Sequence, residues 1–126
     1  MNPASDVLME FGNSLGLEAL RWPDSGAVEI QFESRGRLFL ELRGDDLLVY
    51  LTRELDARDG AAEILRNALQ LCHYRRGLPY AVHAGLLGEF TLVFLVRLEA
   101  AAVSLPDLEQ VLEILTTVHD KAGATR

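Results

Sequence analysis

The chain reads as a single α+β domain over residues 1–126, a twisted antiparallel sheet with helices packed on it. Three observations predict this. Apolar residues recur at helical spacing in three stretches, at the start, in the middle and at the end. Five short stretches between them alternate, or run apolar, with the two-residue period of strands. Tight-turn signals separate neighbouring strands, which pairs them antiparallel. The resulting order is α-β-β-β-α-β-β-α.

Residues 3–16 form the first expected helix. Asn2 can cap it, and Pro3 suits the first helical position. Val7, Leu8, Phe11 and Leu15 make one apolar stripe, and Gly16 is a stop signal. "AVEIQFE" then alternates cleanly. Val28, Ile30 and Phe32 point one way, and Glu29, Gln31 and Glu33 point the other. "RLFLELR" repeats the pattern with Leu38, Leu40 and Leu42, although Phe39 joins the polar face. Gly44-Asp45 signals a hairpin turn into "LLVYLT", which is apolar on both faces. Asp56 and Asp59 stand at capping-box-like spacing before the second helix. Its face is Ile64, Leu65, Ala68, Leu69 and Cys72, it runs to about His73, and Gly77 and Pro79 break it. "YAVHAGLL" and "FTLVFLVRL" are two more strands around a turn at Gly88-Glu89. Ser104 caps the last helix, with Asp107 three residues on. Its stripe is Leu108, Val111, Leu112, Leu115 and Val118, and residues 121–126 are expected to fray.

The fifth strand is unusually apolar. Phe90, Leu92, Phe94, Val96 and Leu98 share a core face. The other face should be polar if it met water, yet it carries Val93 and Leu95. Leaving them wet forfeits about 1.5–3 kcal/mol per side chain. The cover is either a helix of the same chain or a partner. Phe39, Leu48 and Tyr50 add to the surplus, so exposed patches or an oligomer are expected.

Nineteen acidic residues against twelve basic ones, a formal net charge of −7, argue against a nucleic-acid partner. The single cysteine, Cys72, allows no intrachain disulfide. It falls on an apolar helix face and reads as a structural thiol. His73, His83 and His119 are scattered without metal-ligand spacing. No G-x-G-x-x-G, G-x-x-x-x-G-K or G-x-S-x-G occurs. No catalytic residue, metal or cofactor is therefore expected. "MNPASDVLMEF" has no basic n-region and does not read as a signal peptide. The apolar run at 90–96 is far shorter than the ~20 residues of a membrane span. On the residues alone the chain is a sticky binding module. A small enzyme using Cys72 and a plain dimerisation domain are the rivals.

"HAGLLGEFTLVFLVRLE" (His83 to Glu99) and "SLPDLEQ" (Ser104 to Gln110) carry a family resemblance. Together with the element order, length and acidity, they resemble the class I type III secretion chaperones, and among them the SycN-like chains. Those have a similar Ala-Gly-x-Leu-Gly-Glu hairpin, an apolar strand and a Leu-Pro-x-Leu opening of the last helix. "LLVYLTREL" and "GLPYAVHAG" are similar more weakly, and the first 35 residues match by pattern. The resemblance implies a virulence-associated protein-secretion chaperone without catalysis or cofactor. It implies a dimer in the bacterial cytoplasm, at most peripheral at the inner face of the inner membrane, that holds the N-terminal segment of a secreted protein. For SycN-like chains it implies a YopN-like gatekeeper as client and a YscB-like subunit as heterodimer partner. A homodimeric effector chaperone is the rival within the class. Carried onto this chain, Ile64, Leu65, Ala68, Leu69, Cys72, Val93 and Leu95 are the candidates for the dimer interface. Leu8, Phe11, Leu15, Val28, Ile30, Phe32 and Phe39 are candidates for packing under or against the client.

Overall fold

The computed structural model describes residues 3–55, 60–74 and 79–124. Helix α1 (Pro3–Ser14) turns Ala4, Val7, Leu8 and Phe11 inward. Strands β1 (Ala27–Phe32), β2 (Gly36–Arg43) and β3 (Asp46–Glu54) follow as a meander. Helix α2 (Ala61–Tyr74) precedes the hairpin of β4 (Val82–Leu87) and β5 (Thr91–Glu99), and helix α3 (Leu105–Ala124) ends the fold. The element order is the expected one.

The five strands form one antiparallel sheet in the order β1-β2-β3-β5-β4. β3 is central, and β5 pairs with it along its whole length, from Asp46↔Glu99 to Glu54↔Thr91. Because side chains alternate, register assigns each strand residue to a face. Leu38, Leu40, Leu47, Val49, Leu51, Leu92, Phe94 and Val96 share one face and are each 2% exposed or less. Leu8 and Phe11 of α1, Ile64 and Ala68 of α2, and Leu108, Val111, Leu115 and Val118 of α3 join them in one core. The helices therefore pack on a single side of the sheet.

α3 is fastened at both ends. At its start the Ser104 N–H donates to the Asp107 carboxylate (3.0 Å), and the Asp107 N–H donates to Ser104 Oγ (3.3 Å). This is the reciprocal cap that the sequence spacing predicts. The Tyr80 hydroxyl donates to the same carboxylate (2.8 Å), tying the approach to β4 onto α3. Further along, Arg35 pairs with Glu113 (2.8 Å) and Arg53 with Asp120 (2.7 Å). Both pairs are partly exposed, and each is worth at most about 1 kcal/mol.

Three expectations need correction. α1 ends at Ser14 rather than at 16, because Gly16 takes the left-handed conformation (φ +82) and the Leu17 N–H turns back to the Gly12 carbonyl (2.8 Å). Phe90 does not open the core face of β5. It lies in the turn after Gly88, is 39% exposed, and its carbonyl accepts the Leu55 N–H. The tail expected to fray from 121 is helical through Ala124, because Ala122 is fully buried against the core. The expected capping pair Asp56 and Asp59, and Gly77, lie outside the described residues.

His119 is 3% exposed and sits where α3 crosses the sheet. Its Nε2–H donates to the Leu51 carbonyl (2.7 Å), and its ring meets Phe94 edge-on at 4.7 Å. Nδ1 is buried without a partner. Burial, opposed by the Leu51 hydrogen bond, pushes the imidazole down to about 4. The unfolded chain takes up this proton near pH 6.5 and the folded one resists it. Stability from this group is complete above pH 6.5 and is lost as pH falls toward 4, by about 3 kcal/mol in all. Urea unfolding at pH 7 and pH 4 should show that loss in the native chain. The loss should be smaller by this amount in His119→Gln, which can still donate to Leu51.

Candidate functional site

The face of the sheet turned away from the helices is where polar residues were due. It instead carries Phe39, Leu48, Tyr50, Val93 and Leu95. None of the five belongs to the core cluster. Register sets them in rows across the strands. One row runs Glu29, Phe39, Tyr50, Leu95, His83, and the next runs Gln31, Arg37, Thr52, Val93, Gly85. Glu41, Leu48 and Arg97 form a third.

The centre of this face is ordered. The rings of Phe39 and Tyr50 stack at 4.9 Å and 11°. The Tyr50 hydroxyl donates to Glu41 (3.3 Å), and Arg43 holds the same carboxylate at 2.7 Å. Burial, then the neighbouring Glu41 charge, raises the Tyr50 phenol above its ordinary value, so it stays a neutral donor. Two hollows open beside the stack. A groove of about 610 Å³ is lined by Gln31, Arg37, Phe39, Tyr50, Thr52 and Leu87, among others. A smaller dent of about 220 Å³ lies over Gly85, between His83, Leu87, Val93 and Leu95.

The residues expected at a dimer interface divide between two places. Val93 (8% exposed) and Leu95 (half-buried) lie on the open face. Ile64 and Ala68 are buried in the chain's own core, on the opposite side of the sheet. Leu65 and Cys72 are half-buried on α2, and Leu69 is 48% exposed. Of the residues expected near a client, Leu8, Phe11, Val28 and Ile30 are core. Leu15 and Phe32 are half-buried against that core, and Phe39 stands on the open face. Leu87, 56% exposed, and Gly85 were not among the expected site residues. Their parity in β4, opposite to that of Leu86, is the signal that places them beside Val93.

The described residues offer little for chemistry. Burial raises the Cys72 thiol above its ordinary value, which keeps it protonated and a poor nucleophile. No group of three metal-ligating side chains occurs among the described residues. No helix among them is long and apolar enough to cross a membrane.

Comparison with known proteins gives the family. The chain is 30% identical over 118 residues to the chaperone protein SycN of Yersinia enterocolitica, covering 94% of each chain. Its fold is similar to that of SycH, a type III secretion chaperone of Yersinia pestis solved with a stable fragment of YscM2. The TM-score there is 0.65 at 20% identity, over 94% of this chain and 96% of the other. A chain of the HopA1–SchA chaperone–effector complex matches at TM-score 0.63 and 18% identity, over 91% of both. Those two likenesses establish the fold. The model of the type III secretory system chaperone SycN matches residues 5–122. With that family model matched and a chaperone relative aligned over nearly its whole length, the chain belongs to the SycN family of type III secretion chaperones, a family without enzymatic activity.

Proposed function

We propose that this chaperone holds the N-terminal segment of a secreted YopN-like gatekeeper in the bacterial cytoplasm, as one half of a heterodimer with a YscB-like subunit. The observation that carries the reading is the open face: five apolar side chains at adjacent register positions, none of them in the core cluster. A client segment that orders on binding loses chain entropy and must offset it with apolar anchors and backbone hydrogen bonds. Each anchor buried on such a face contributes up to about 1.5–3 kcal/mol. Binding the segment extended keeps it unfolded and ready for a narrow secretion channel.

The partner subunit meets Leu65, Leu69 and Cys72 on α2, and Val93 and Leu95 on β5, with Ile64 and Ala68 supporting α2 from behind. The client meets Leu15, Phe32 and Phe39, and Leu8, Phe11, Val28 and Ile30 hold that surface in shape. Size-exclusion chromatography with light scattering tests the pairing. The chain alone should give no stable homodimer, and adding the YscB-like subunit should give a one-to-one complex. A stable homodimer that ignores that subunit would favour a homodimeric effector chaperone instead.

A further inference from the structure

The groove of about 610 Å³ crosses one end of the open face. It holds Phe39, which the proposed function sets under the client, and neither Val93 nor Leu95, which it gives to the partner subunit. Arg37 stands in this groove, exposed, opposite Gln31 of β1 and Thr52 of β3. Five arginines lie on the strands and on the turn between β1 and β2. Four of them have a carboxylate: Arg35 has Glu113 (2.8 Å), Arg43 has Glu41 (2.7 Å), Arg53 has Asp120 (2.7 Å) and Arg97 has Asp46 (3.7 Å). Among the described residues Arg37 has none, and only its backbone carbonyl is engaged, by Thr52 Oγ1. Its register neighbours Gln31 and Thr52 are neutral. The Gln31 amide donates to Glu29 (3.0 Å), which sits on the next row. Glu33 and Glu54 also line the groove, and neither pairs with Arg37.

We propose that Arg37 is the specificity-determining residue of this face and takes the side-chain carboxylate of an acidic residue in the bound segment. The inference rests on reading the chain as the holder of a client segment. A guanidinium meets a carboxylate through two parallel N–H···O bonds, which a neutral amide cannot match. A segment lying across the groove displaces water from Arg37, and a cation covered without an anion is costly. A segment with its acid in place gains, and one without it is penalised. The surroundings work the other way. The formal net charge of −7 disfavours acidic segments elsewhere on the chain. Glu33 and Glu54 disfavour a second acid beside the first. An acid is therefore read at one position, between apolar residues that meet the stack of Phe39 and Tyr50.

The probe is the acetylated and amidated peptide Ser-Thr-Phe-Thr-Glu-Thr-Phe-Thr-Ser, with a counterpart carrying Gln for Glu. Its Phe and Glu side chains project on one side of an extended chain. Each peptide is titrated into the ¹⁵N-labelled full chain. The Glu peptide should bind about tenfold tighter, as a charge-assisted hydrogen bond provides, and against the net charge of the chain. Its amide shifts should concentrate on Arg37, Phe39 and Tyr50. Arg37→Gln should abolish the preference and Arg37→Glu should reverse it. Both should keep the urea midpoint of the native chain, because the side chain is exposed. Equal affinity for the two peptides, no saturable binding of either, or a preference that survives in Arg37→Gln would overturn the inference. So would a lowered urea midpoint in Arg37→Gln, which would show that Arg37 serves the fold. The preference without capture of a gatekeeper would uphold Arg37 and sink the gatekeeper reading.

Discussion

Phe94→Asp is expected to leave no folded protein, whereas Leu95→Asp should leave a folded chain that no longer assembles. The two are neighbouring apolar residues of β5 that present opposite faces of the sheet. Phe94 is fully buried and touches His119 edge-on. Losing its ring costs about 3–5 kcal/mol. An unpaired carboxylate in that site adds several more, against a whole-domain stability of about 5–15 kcal/mol. Leu95 is half-buried between Tyr50 and His83 on the face that no helix covers. Its carboxylate can reach water, so the folding cost should stay within about 1 kcal/mol. Circular dichroism with urea titration reads folding, and light scattering with the partner subunit reads assembly. Equal loss of folding in both variants would mean that the Val93 and Leu95 face is part of the internal core.

Gly36→Ala should be nearly as damaging, although it adds one methyl group. Gly36 opens β2 opposite Phe32, at φ +115. An L-residue at that angle carries backbone strain of about 1–3 kcal/mol. A Cβ there would also overlap the Thr52 carbonyl oxygen and stand 3.0 Å from Arg53 Cγ. Backbone of the central strand cannot yield as a flexible side chain would. A loss of at least about 3 kcal/mol is expected, read as a lower urea midpoint at unchanged slope. A loss below about 1 kcal/mol would show that the β1–β2 turn relaxes freely.

Much of the fold was legible because period reports local structure. Alternation in "AVEIQFE" and the stripe Leu108, Val111, Leu112, Leu115 each arise from one element in contact with one core. The Ser104–Asp107 cap was legible because its partners are three residues apart. Strand order was not, since pairing β5 with β3 is a non-local choice that no local period encodes. The burial of His119 was hidden for the same reason. Its neighbours Leu51 and Phe94 come from strands distant in sequence. The site was the least legible part. Ile64 and Leu69 share one helix pattern, yet one is 2% exposed and the other 48%. A residue that packs within the chain and one that awaits a partner are equally apolar. Alternation sets Phe94 and Leu95 on opposite faces, but only the fold, by packing all the described helices on one side, shows that the Leu95 face is not the one they cover.

The most direct measurement co-expresses the tagged chain with a YscB-like subunit and a YopN-like gatekeeper from the same genome, then purifies through the tag. All three should elute together, and deleting the gatekeeper's N-terminal segment should release it while the two subunits remain paired. Purification of the chain with neither protein bound would contradict the proposed role.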